Sequence, residues 1–231
     1  MKYANVNNVK THAKKVESGT RGKDLWYEEY EVVACVGKYR QYWKYADDKP
    51  VLPRGYEPET EWHSAWKNGI MDEYCEVVCG ENREHRADIK TNKYVIEIQK
   101  SSIDIRDVEN RNAFYKELTD SRVIWVVNVE EPWKKGRFST ELVKGEKDGR
   151  FLVEWKYKWL WVCDIAKTKD SHLYLDFNPR NDKLIHLWGY DNKLYGKWIT
   201  KLKFFDRYLK DVANEEIKND NEIFLHCFNE L

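Results

Sequence analysis

Three residues in one short stretch have the types and spacing to bind a metal ion and act on a phosphate ester: Asp88, Glu97 and Gln99. A turn centred on Asn92 and Lys93, between HRADIK and YVIEIQ, places Thr91 opposite Tyr94, Ile89 opposite Ile96 and Asp88 opposite Glu97. Side chains alternate across a strand, so Gln99 shares the face of Glu97 while Ala87, Ile89, Ile96 and Ile98 take the other. One face then suits a core, and the other gathers two carboxylates and a carboxamide. Facing like charges destabilise a sheet. A hard divalent cation, Mg2+ or Mn2+, relieves that repulsion through oxygen ligands, polarises a phosphoryl oxygen and activates water. The same spacing fits an ordinary hairpin whose acids face solvent, and a one-residue slip in register undoes the pairing.

Several neighbours bear on that chemistry. His63 and His85 flank the constellation, as nucleic-acid contacts or as hydrogen-bonded structural histidines. Lys100 adjoins Gln99, but alternation turns it to the other face unless a bulge or the strand end intervenes. Strand parity allows Glu76, on the first strand, to face either toward the site or away from it. Arg111 and Tyr115 follow on the next helix, Arg111 suited to packing or to positioning phosphate and Tyr115 to the core.

The elements that must hold these residues are legible in order. Residues 1–55 read as short strands and loops, with WYEEYEVVACV the best strand. PVLPRGYEP then breaks the chain with three prolines and a glycine. ETEWHSAWKNG reads as a helix that opens on acids and ends at Gly69, followed by the strands YCEVVC, EHRADIK and YVIEIQK. DIRDVENRNAFYKEL starts at the cap Asp104 and spaces Ile105, Val108, Tyr115 and Leu118 as one helix face. SRVIWVVNV is a buried strand. The expected architecture is an α/β protein of the α+β type with an αβββαβ core and a mixed central sheet. It divides into an N-terminal β-rich segment (1–55), the core (56–130) and a mostly β C-terminal extension (131–231), which ends in a helical stretch near Phe205 to Glu216.

Bulk composition narrows the function classes. Lysine plus arginine number 40, as do aspartate plus glutamate. A protein that merely coats nucleic acid is usually basic, because neutralising phosphates supplies its affinity. The balance argues against that role and is compatible with an enzyme whose acidic site offsets a local basic groove. Aromatic residues make up 15%, enough both to fill cores and to stack on bases. Five scattered cysteines do not make a disulfide scaffold. The longest strongly apolar run, Val123 to Val127, is far short of a membrane span, and MKYANVNNVK lacks a signal-like apolar run. A cytoplasmic protein with reduced thiols and no membrane partner is expected.

The αβββαβ order with an acid on the second strand and E-x-[polar] on the third resembles the PD-(D/E)XK nuclease fold. More closely, EPETEWHSAWK, HRADIK, VIEIQKSSI, the spaced Arg111 and Tyr115, and VIWVV resemble the CoiA-like competence-protein nucleases over roughly residues 57–127. The resemblance implies that Asp88, Glu97 and Gln99 form the active site, with Asp88 and Glu97 as ligands of Mg2+ or Mn2+. It also implies that Glu61, on the first helix, is a further acid near the metal, against the plain reading of a solvated helix acid. Most PD-(D/E)XK enzymes have lysine where Gln99 stands. A neutral amide brings no positive charge to the transition state, although it can orient water or phosphate. The implied activity is phosphodiester hydrolysis, on DNA before RNA, in competence and recombination or in a phage setting. The alternatives are an inactive nucleic-acid-binding module of the same fold and a protein-interaction factor.

Relatives of this kind carry a small zinc module near the N-terminus, to which VACVGKYRQYWKYADD corresponds here. It holds only Cys35 and no histidine, so four zinc ligands are lacking, and packing by Tyr39, Tyr42, Trp43 and Tyr45 is expected in their place. Cys75 and Cys79 are expected as core thiols, and Lys197, Lys201, Lys203 and Trp198 line either a nucleic-acid groove or a solvated basic face. Elemental analysis of the purified protein is expected to find no stoichiometric zinc. A content near one zinc per chain would require ligands recruited from distant parts of the sequence.

Overall fold

The alternating and helical patterns fold, in the computed structural model, into two compact units: Met1–Tyr56 with Asp72–Ala87, and Glu57–Met71 with Asp88–Leu231. The structure describes residues 1–51, 59–119, 122–143, 149–157, 159–168, 171–220 and 222–228. Most of the proline-rich break, residues 52–58, lies outside them, as does part of the EPETEWHSAWK block.

The first unit holds an antiparallel sheet of β1 (Tyr3–Val6), β2 (Val9–His12), β3 (Arg21–Lys23), β4 (Glu31–Val36) and β5 (Gln41–Tyr45) in the order β2-β1-β3-β4-β5. Its core is Ala4, Ala13, Val32, Ala34 and Trp43. Of the four aromatics expected to pack in place of zinc, Trp43 is buried and Tyr45 packs against it, its hydroxyl donating to Asp24 Oδ2 at 2.9 Å. Tyr42 and Tyr39 are exposed, Tyr39 by 86%, because alternation along β5 turns Tyr42 outward and Tyr39 sits in the preceding turn. Strand β6 (Cys75–Cys79) and the start of β7 (His85–Lys90) also belong here, adjacent in strand order. Cys75 and Cys79 are buried thiols, as expected.

The second unit contains α1 (Glu61–Lys67), the rest of β7, β8 (Tyr94–Gln99), α2 (Ile105–Thr119) and β9 (Arg122–Asn128). Helix–three strands–helix–strand is thus the order along residues 61–128, with the turn inside Lys90–Tyr94. The chain continues through α3 (Glu130–Lys134), β10 (Phe138–Leu142), β11 (Phe151–Trp155), α4 (Leu160–Lys167), β12 (Ser171–Asp176), β13 (Lys183–Tyr190), β14 (Lys193–Thr200), α5 (Lys201–Tyr208), α6 (Glu215–Asn219) and α7 (Glu222–His226). The sheet runs β10-β11-β14-β13-β12-β9-β8-β7 and is mixed: β9 pairs parallel with both β8 and β12, and the other pairings are antiparallel. Parallel partners on both sides explain why VIWVV is apolar without alternation. The strands after residue 131 therefore continue the sheet of the preceding residues. Helix α4 departs from the β structure expected across 138–205. Its apolar LWVCDIAK packs on β12 and β13, burying Trp161, Val162, Cys163, Ile165 and Ala166.

Helix α1 is fixed from three sides. Thr60 caps it, exchanging bonds with His63. Gly69 follows at φ +79°, where a Cβ would meet Ile217 Cδ1 at 1.8 Å, so only glycine permits this exit. Trp66 packs edge-on against Phe204, Phe224 and Phe228, and Trp62 Nε1 donates to Asp176 Oδ2 at 2.9 Å. Asp176 and Lys201 are both 0% exposed, 3.4 Å apart, and Lys201 Nζ also donates to the Pro179 carbonyl at 2.6 Å. Lys201 is therefore an internal counter-ion rather than a member of a basic groove; Lys197 and Lys203 remain exposed. Burial raises the Asp176 carboxyl and lowers the Lys201 ammonium, each opposed by the other's charge. Lys201→Met is expected to destabilise the chain by about 3–5 kcal/mol in urea unfolding, because it strands a buried carboxylate. Adding Asp176→Asn should recover much of that loss, and a change below about 1 kcal/mol for Lys201→Met would show the pair to be unimportant.

Candidate active site

Strand alternation delivers Glu97 and Gln99 to one face of β8, and the register Ile89↔Ile96, Lys90↔Val95 brings Asp88 alongside. Asp88 Oδ2 accepts the Ile98 backbone N–H at 2.8 Å, so this acid links β7 to β8 through its side chain. Its Oδ1 lies 3.6 Å from Lys67 Nζ. Lys67 ends α1, is buried, and pairs at 2.9 Å with Glu59 Oε1.

Glu97 is 2% exposed. Arg111 Nη1 donates to its Oε2 at 2.7 Å. Arg111 and Tyr115 lie four residues apart and so present one face of α2 to β8, and Asn112 anchors that helix by accepting from Trp125 Nε1 at 3.0 Å. Burial pushes the Glu97 carboxyl up to about 7; the Arg111 charge opposes this, the Asp88 charge adds to it, and the Tyr115 hydroxyl favours the ionised form. No well-formed hydrogen bond reaches Glu97 Oε1 among the described residues, which leaves a buried oxygen of a carboxylate open to a ligand. Gln99, buried beside it, donates from Nε2 to the Ser101 carbonyl at 3.1 Å. The repulsion expected between facing acids is thus offset by Arg111 on one and Lys67 on the other.

Residues 80–187 match the family described as competence protein CoiA, nuclease-like domain. Over that segment the chain is similar to a CoiA nuclease-like domain. No curated protein and no solved structure gives a significant match. The CoiA match contains Asp88, Glu97, Gln99 and Arg111 and runs on through α4 and β12 into β13, whereas α1 precedes it.

The other expected residues have diverse surroundings. Glu61 is exposed on the first turn of α1; the acid that reaches the cluster, through Lys67, is Glu59. His63 is buried, and its Nδ1 lies 2.8 Å from Thr60 Oγ1 in the cap of α1. His85 is half-buried at the start of β7, in the first unit. Lys100 is exposed past the end of β8. Glu76, in the first unit, pairs with Arg86 Nε at 2.9 Å. Sequence reasoning passed over Glu59 and Lys67. The signal for Lys67 is its spacing of three and four residues from Ser64 and His63, which puts the three on one face of α1.

The raised Glu97 carboxyl has a definite signature. Its proton is held up to about pH 7 in the folded chain and lost near 4.5 in the unfolded one. Over that window the unfolded state binds fewer protons, so stability falls as pH rises, and below it the effect vanishes. In EDTA, wild type is expected to lose roughly 1–3 kcal/mol more than Glu97→Gln between these limits. Parallel stability–pH curves would mean that Glu97 titrates normally.

Proposed function

We propose that the chain is a Mg2+- or Mn2+-dependent nuclease that hydrolyses phosphodiester bonds in DNA, built on a PD-(D/E)XK-type core. The observation that carries this reading is Glu97 Oε1: a buried carboxylate oxygen that no well-formed hydrogen bond reaches among the described residues, beside Asp88, inside the segment that matches a nuclease-like domain. Two carboxylates suit Mg2+, which keeps several waters and is usually bound by one or two protein acids. Among the described residues no three His, Cys, Asp or Glu side chains form a ready cage. Asp88 and Glu97 would hold the ion, which when bound polarises a phosphoryl oxygen and makes water a better nucleophile.

The chain's own residues do the rest. Arg111 fixes the Glu97 carboxylate, and the Ile98 amide fixes Asp88. Gln99, held by Ser101, orients water or phosphate without adding charge. Exposed Lys100 attracts the polyanion toward the end of β8. All five cysteines are thiols, which suits a cytoplasmic setting, and no described helix is long and apolar enough to cross a membrane.

Closed circular single- and double-stranded DNA tests this directly. Wild type is expected to open circles only with Mg2+ or Mn2+, and Asp88→Asn and Glu97→Gln should each lower the rate by at least about 10^3-fold. The metals should raise the melting temperature of the wild type and do so less in either variant. Gln99→Ala should bind metal nearly as wild type yet turn over more slowly. Undiminished cleavage by Asp88→Asn would discard the site.

A further inference from the structure

One buried ammonium in the site has no part in holding a metal. The Lys67 side chain is 1% exposed, 2.9 Å from Glu59 Oε1 and 3.6 Å from Asp88 Oδ1. Burying an ammonium costs several kcal/mol even when paired, and apolar replacements of buried ion pairs are often neutral or stabilising. Packing of α1, whose Trp62, Ala65 and Trp66 are already buried, therefore gives no reason for a charge at this position. Among the described residues, the Arg111 charge also acts on Asp88. Gln99 is neutral, Lys100 is exposed beyond the strand, and Arg111 is engaged by Glu97 at 2.7 Å.

We propose that Lys67 is the fixed cation of the site: its buried ammonium, held by Glu59 beside Asp88, supplies the positive charge against which negative charge builds on the phosphoryl group. This rests on the hydrolytic reading. In that reaction a water oxygen bonds to phosphorus, one ester P–O bond breaks, the water gives up a proton and the leaving oxygen takes one. A desolvated charge already in place needs no reorganisation when the transition state forms.

The same charge acts on metal binding with the opposite sign. An ammonium this close to Asp88 repels a divalent cation on that carboxylate. Removing it therefore tightens metal binding while slowing hydrolysis. A residue that merely holds Asp88 in place would, on removal, weaken both.

The test compares Lys67→Met with wild type in the full chain, using MnCl2 titration calorimetry and cleavage of circular single-stranded DNA at saturating Mn2+. Mn2+ affinity is expected to rise several-fold, KM for DNA to stay within about threefold, and kcat to fall about 10^2-fold. An unchanged kcat, or Mn2+ binding that is equal or weaker, overturns the proposal. If Lys67→Met does not fold, Lys67→Met/Glu59→Gln restores the charge balance and is compared with Glu59→Gln. Tighter Mn2+ binding in the double variant supports the proposal, and equal or weaker binding overturns it. Cleavage lost in Asp88→Asn but intact in Lys67→Met removes this inference alone, whereas a wild type that cleaves no circle with either metal removes the hydrolytic reading and this one together.

Discussion

A buried carboxylate must find its compensation inside the protein, and in the second unit that constraint decides which elements meet. Leaving such a group ionised and unpaired costs several kcal/mol, comparable to the whole margin by which a domain is stable. Asp176 is met by Lys201 at the start of α5 and by Trp62 of α1. Glu97 is met by Arg111 of α2. Asp88 is met by the Ile98 amide and by Lys67 of α1. Apolar packing presses helices onto the sheet, but it is non-directional. These three acids add direction, since each accepts partners from an identified element at an identified height along its strand.

The same constraint links fold to chemistry. The burial that makes Glu97 hard to ionise also shields its Oε1 from bulk solvent, and in the proposed reading that oxygen would hold the metal ion. Arg111 tempers this by holding Oε2, which keeps the carboxylate in one orientation. Lys67 and Glu59 form a second ion pair at the other acid. Three carboxylates, Glu59, Asp88 and Glu97, share two cations, Lys67 and Arg111, so in the proposed reading a divalent cation would compete with internal charges.

Much of this was legible in local pattern. HRADIK and YVIEIQ alternate cleanly, and the hairpin turn and the pairing of Ile89 with Ile96 follow. The spacing of Val108, Arg111 and Tyr115 gives the inward face of α2, and the unbroken VIWVV gives the central strand. What local pattern cannot carry is the identity of a distant partner. Lys201 reads as part of a basic KLKFF stretch, and only its contact with Asp176, across β13 and β14, makes it a core residue. Lys67 reads as a favourable C-terminal helix charge, and nothing in its neighbours announces Asp88. Helix α4 was missed for a different reason. An eight-residue apolar run has too few turns to show a helical period and is indistinguishable from a buried strand.

The boundaries of the CoiA match sharpen the point about distance. The matched segment, 80–187, contains both hairpin acids and Asp176, but not Lys67, nor Lys201, nor the phenylalanines that seat α1. Trp66 of that helix rests on Phe204, Phe224 and Phe228, and Trp62 reaches Asp176, whose cation is Lys201. Four of those contacts come from beyond residue 187. The hairpin therefore supplies the acids, while the position of the ammonium that faces Asp88 is set by aromatic packing and a buried ion pair built from the last quarter of the chain. In the proposed reading the strand pair supplies the ligands, and the elements outside the matched segment give them a fixed electrostatic environment.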